Sequence, residues 1–141
     1  MVMRGRSHIA MLAVVLCAGL LAGCASTPAA APKSGTVRVD VAADGTTVEL
    51  AQGATLEVAL EGNPTTGFDW KVTETLPPQL KAVSDTLEST AASGVVGAGG
   101  TRVFTYTAAA AGAGVLDMEY VRSWEKGVPP EKTFKLTVVV K

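Results

Sequence analysis

Arg102-Val103-Phe104-Thr105-Tyr106 and Leu116-Asp117-Met118-Glu119-Tyr120 both alternate with a period of two. Successive side chains of a strand point to opposite faces, so each run is a half-buried strand. The pattern continues outward in both directions. Val37, Val39 and Val41 repeat it, as do Leu56, Val58 and Leu60. Phe68, Trp70 and Val72 repeat it again, and Phe134, Leu136, Val138 and Val140 close the series. Leu80 to Leu87 reads as a further strand, with Pro77-Pro78 barring a sheet interior just before it. Asp44-Gly45 marks a tight turn after Val41. About seven short strands in roughly 100 residues predict an all-β, immunoglobulin-like antiparallel two-sheet sandwich, with a closed barrel as the alternative. Phe68, Trp70, Phe104, Tyr106, Tyr120 and Phe134 are the expected aromatic core.

The first residues follow other rules. Arg4 and Arg6 precede an unbroken apolar run from Ile9 to Leu21, too short to span a bilayer comfortably. The run ends in Leu21-Ala22-Gly23-Cys24, the pattern of a bacterial lipobox. Small residues at Ala22 and Gly23 admit a peptidase, and Cys24 offers the thiol for a thioether-linked lipid. The expectation is a signal peptide over 1–23, a lipidated flexible tether over 24–35 and one folded domain over 36–141. The alternative is an ordinary secreted protein in which Cys24 is incidental. A lipid at Cys24 would anchor the chain in a bacterial cell envelope, on the periplasmic or outer-surface side.

The chain has 141 residues, with 12 Lys+Arg against 13 Asp+Glu. Such a balance gives no basic field, so a nucleic-acid partner has no electrostatic support. His8, Cys17 and Cys24 are the whole stock of imidazoles and thiols. A domain starting after Cys24 therefore cannot build Ser-His or Cys-His catalysis, a disulfide, or a His/Cys zinc site. No cofactor or metal is expected. An enzyme is not expected either.

Three connectors stand out. Gly62-Asn63-Pro64-Thr65-Thr66-Gly67 follows the strand ending at Leu60, and Ala91 to Gly100 carries Gly94, Gly97, Gly99 and Gly100. Ser123 to Pro130 carries Trp124, Glu125, Gly127, Pro129 and Pro130, with Arg122 just before it. Two strands separate each from the next, so an alternating course brings all three to one end. Asn63-Pro64 restricts the backbone while Gly67 permits a tight exit. Thr65 and Thr66 are uncharged and small enough for a narrow cleft. Arg122 and Trp124 are residue types that recur at binding hot spots. Plainer readings exist: a simple turn, a flexible glycine connector, a Trp124 folded back as a cap, or an Arg122 paired with Glu125 or Asp69.

At these residues the sequence resembles the chagasin-type inhibitors of papain-like cysteine peptidases. Asn63-Pro64-Thr65-Thr66-Gly67-Phe68-Asp69-Trp70 matches the first-loop pattern in full. Gly97-Ala98-Gly99-Gly100 matches the second, and Arg122-Ser123-Trp124-Glu125 matches the third except at Ser123, where the family has Pro. The resemblance covers roughly Gly53 to Lys141 and implies an immunoglobulin-like fold. It also implies a reversible three-loop wedge, in which Thr65 and Thr66 reach the peptidase's catalytic cysteine. The Gly97–Gly100 loop would lie on the non-primed side and Trp124 on the primed side, with Arg122 shaping its loop or contacting the enzyme. The domain itself is expected to be a monomer. The runner-up is an envelope-anchored immunoglobulin-like adhesion or assembly module that uses the same tip on another protein.

Overall fold

The computed structural model describes residues 31–89 and 99–141. Cys24, Gly97 and Ala98 lie outside the described residues, as do the leader and most of the second glycine-rich connector. Eight strands are present among the described residues: β1 (Thr36–Val39), β2 (Thr47–Leu50), β3 (Thr55–Gly62), β4 (Asp69–Val72), β5 (Leu80–Ser89), β6 (Gly100–Ala108), β7 (Gly112–Val121) and β8 (Lys132–Val140). They form two four-stranded sheets, ordered β1-β3-β6-β5 and β2-β8-β7-β4. The all-β, two-sheet architecture is therefore as the alternation predicts.

One part of that expectation needs correction. The sheets are mixed, not purely antiparallel, because β1 pairs parallel with β3 and β2 pairs parallel with β8. The chain reverses direction at each link but also changes sheet between β1 and β2, and again between β2 and β3. Two strands separated by such a detour run the same way when they end up side by side. Periodicity reports which face is buried, not which neighbour is paired.

Smaller differences have local causes. Val41 does not extend β1; it lies in a single 3-10 turn and is 60% exposed. There Asp40 caps the turn by accepting from the Ala42 N–H. Strand β2 offers only Val48 and Leu50 to the core, too few repeats to register as a strand in the sequence. Phe68 lies just outside β4 and is half-buried. Lys33 already pairs with Leu50 as an isolated bridge, so the ordered body begins before Thr36. The turn at Asp44-Gly45 forms, with Gly45 at φ +71° and Thr46 N–H donating to Ala43 C=O.

The core lies between the sheets, where Leu56, Val58, Leu60, Met118, Phe134 and Leu136 are fully buried. Each such side chain contributes about 1.5–3 kcal/mol relative to exposure. Tyr106 joins them, and burial pushes its hydroxyl pKa up to about 12, so it stays neutral. Strand β5 is different, with only Leu80 buried. It is the edge of its sheet and pairs on one side only, with β6.

Strands β3, β5 and β7 all run toward one end of the sandwich, so the connectors after β3 and β7 and the described ends of the one after β5 lie at one tip. The β1–β2 link stays lower, because β1 stops opposite Val58, four residues short of Gly62.

Candidate functional site

The first loop is a braced single turn. Asn63 caps a 3-10 turn over Pro64–Thr66, and its side chain accepts from both the N–H and the hydroxyl of Thr65. The Thr66 hydroxyl donates to the Asn63 carbonyl at 2.6 Å. Gly67 ends the turn at φ +81°, a left-handed conformation that side chains resist. Both threonine hydroxyls are thus held by the loop's own acceptors, and Pro64, Thr65 and Thr66 face outward. The tip is neutral and stiff.

Beneath the turn stands Tyr120, at the end of β7. Its hydroxyl accepts from the Asn63 N–H at 2.8 Å. Its ring stacks on Phe68, with centroids 5.3 Å apart, and meets Trp70 at 5.2 Å. Trp70 is core, as its strand spacing suggests: it is buried, and its indole N–H donates to the Glu61 carbonyl at 3.0 Å. Sequence reasoning assigned Tyr120 to the core and missed its function as a post. The available signal was a tyrosine at a strand end, whose buried hydroxyl needs a partner.

The third loop is tied to the first through Arg122. Its Nε donates to the Thr66 carbonyl at 3.2 Å, and its guanidinium lies 4.2 Å over the Phe68 ring. Nη1 donates to Glu125 at 3.0 Å, and the Glu125 N–H donates back to the Arg122 carbonyl. These two bonds close a turn around Ser123-Trp124, which restores part of the stiffness that Pro would give at Ser123. Of the partners considered for Arg122, Glu125 is the one it takes; Asp69 bonds Arg102 instead. Trp124 is 66% exposed and does not fold back into the sandwich. Its ring edge rests on Gly67, where an added Cβ would overlap Cη2 and stand 2.7 Å from Cζ2.

The described end of the second loop lies beside the first. Gly100 pairs with Gly62 across β3 and β6, and a Cβ at Gly99 would lie 3.4 Å from the Gly62 carbonyl. A Cβ at Gly100 would meet the Glu88 carbonyl of β5 at 2.7 Å. Gly100 is therefore fixed by packing within the sheet. Among the described residues no cluster of His, Cys, Asp or Glu is arranged to hold a metal.

The described tip thus presents a braced, neutral first turn beside an exposed Trp124, an arrangement suited to docking. The family of the chain follows from comparison with known proteins. Residues 49–138 match the family model for the chagasin family peptidase inhibitor I42. Amoebiasin-1 of Entamoeba histolytica is 35% identical over 98 residues, covering 67% of this chain and 90% of that protein. Chagasin of Trypanosoma cruzi is 33% identical over 107 residues, covering 74% of this chain and 96% of its own. The crystal structure of the cysteine protease inhibitor EhICP2 from Entamoeba histolytica shares the fold, with a TM-score of 0.69 at 24% identity. That match covers 79% of this chain and 100% of the other. The chain belongs to the chagasin family of cysteine peptidase inhibitors. It is an inhibitor domain, not an enzyme.

Tyr120→Phe tests the post directly. Loss of the acceptor for the Asn63 N–H is expected to lower stability by about 1 kcal/mol in urea unfolding. Inhibition should weaken by about fivefold, since a looser turn must be ordered on binding.

Proposed function

We propose that this chain inhibits papain-type cysteine peptidases by inserting the Asn63–Gly67 turn into the active-site cleft, flanked by the other two loops. The observation that carries this reading is the bracing of that turn by Tyr120, Arg122 and Trp124. A pre-ordered, neutral turn enters a narrow cleft without desolvating a charge and with little ordering cost. Its threonines offer nothing readily cleaved, and its backbone is already committed to a 3-10 turn. The block is steric and reversible, with Thr65 and Thr66 nearest the peptidase thiol. Gly97, Ala98, Gly99 and Gly100 give the second loop little bulk, which suits backbone contact along the non-primed side. Trp124 covers apolar surface on the primed side.

The lipobox reading places this inhibitor at the cell envelope. Cys24 carries the lipid, the tether over 24–35 is the spacer, and the loop tip projects from the far end of β3 and β7. The domain works as a monomer.

The test is titration of papain with the chain from residue 25 onward, following hydrolysis of a fluorogenic peptide. Stoichiometric loss of activity, with the inhibitor recovered uncut, is expected. Full activity at micromolar inhibitor across several papain-type enzymes would overturn the reading. Incorporation of labelled palmitate, abolished by Cys24→Ser, checks the anchor separately.

A further inference from the structure

We infer that Arg102 is a positioning residue for the inhibitory tip, locking the exit of the first loop to the exit of the second. The inference rests on the reading that the first loop enters the peptidase cleft. Arg102 lies on β6, two residues past Gly100, where the second loop ends. In the sheet it stands opposite Leu60, a fully buried residue, so its side chain starts from the core-facing side. From there it crosses to the other sheet. Nη2 donates to Asp69 Oδ2 at 3.0 Å, and Asp69 is the first residue of β4, two past Gly67. The same nitrogen donates to Asp85 Oδ2 at 3.0 Å. Among the described residues, Arg102–Asp69 is the one ion pair that joins the two sheets.

Two features separate this arrangement from an ordinary surface pair. Asp85 reaches the inner face only because β5 carries a register shift between Ala82 and Ser84, which sets Asp85 opposite Phe104. Without that bulge it would face outward. Arg102 also leaves its Nε buried with no hydrogen-bond partner, a cost that an apolar side chain there would not carry. A cation held at a cost between two carboxylates contributes geometry more than stability. Here the geometry is the spacing between the first and second loops. Asp69 transmits it, since its other oxygen accepts from the Trp70 N–H at 2.9 Å and so fixes the backbone leaving the turn.

The test compares Asp69→Asn, Asp85→Asn, Arg102→Gln and Arg102→Lys in the full chain. Three readouts are taken: the inhibition constant against papain, the melting temperature, and amide hydrogen exchange at Gly67, Phe68 and Trp70. Asp69→Asn and Arg102→Gln are expected to weaken inhibition by about tenfold and to speed exchange at those amides, with exchange in β7 and β8 unchanged. Asp85→Asn should leave the tip as it is, because the link to Asp69 remains. Arg102→Lys should stay within about threefold of the parent, since one nitrogen makes both bonds. Unchanged tip exchange in Asp69→Asn overturns the inference. So does an equal response in Asp85→Asn, which would mark a general loss of stability. If the parent chain fails to inhibit papain, the functional reading fails, and the exchange measurements still decide the role of Arg102.

Discussion

Replacing Trp124 by alanine is expected to weaken inhibition of a papain-type peptidase by about 2–4 kcal/mol, roughly 30- to 1000-fold in the inhibition constant. Two losses add up to that figure. The first is contact area, because Trp124 is 66% exposed in the free domain and has most of its ring available for a partner. The second is support, because the ring edge rests on Gly67 and covers the exit of the first loop. Folding should be almost indifferent, since an exposed loop residue contributes little to the core. The melting temperature should therefore stay within a few degrees while the dissociation rate rises. Trp124→Phe should recover part of the affinity. An unchanged inhibition constant in Trp124→Ala would remove the third loop from the interface.

Much of this structure was legible in the sequence, and the exceptions share a cause. Alternation over Leu56–Leu60, Phe104–Tyr106, Leu116–Tyr120 and Phe134–Val140 depends only on which side of a strand meets water, so those strands stand where expected. The clustering of the loop ends followed from alternating direction alone. Pairing did not follow, because the parallel neighbours β1–β3 and β2–β8 depend on where the chain changes sheet. Strand β5 shows a similar limit. Its length was readable, but its exposure goes with its place at the sheet edge, which the order of pairing decides.

The site divides in the same way. Asn63 to Gly67 and Arg122 to Glu125 could be singled out because Asn-Pro, Gly, Arg and Trp carry local meaning. The long-range contacts that brace them could not. Tyr120 under Asn63, Arg122 on Thr66, Trp124 on Gly67 and Arg102 on Asp69 each join residues more than 30 positions apart. Nothing local distinguishes such a tyrosine or arginine from one that only fills the core or covers the surface.

Gly67→Ala should show how closely two of those contacts are coupled. At φ +81° an alanine carries a backbone cost of about 1–2 kcal/mol, and here its Cβ would also overlap the Trp124 ring. The ring must leave, or the 3-10 turn must open. Either outcome disorders the first and third loops together, so inhibition is expected to fall by about 2 kcal/mol or more, at least ~30-fold. Stability should drop by only the backbone cost, because the turn lies outside the core. The double variant Gly67→Ala/Trp124→Ala separates the two causes. With the ring gone the overlap disappears, so the second substitution should cost far less on top of the first than it does alone. A double-mutant cycle on the inhibition constant measures this, and strict additivity would mean that Trp124 binds the peptidase without relying on Gly67. Strong non-additivity would mean that the two loops act as one surface, held by a contact that only a glycine at position 67 permits.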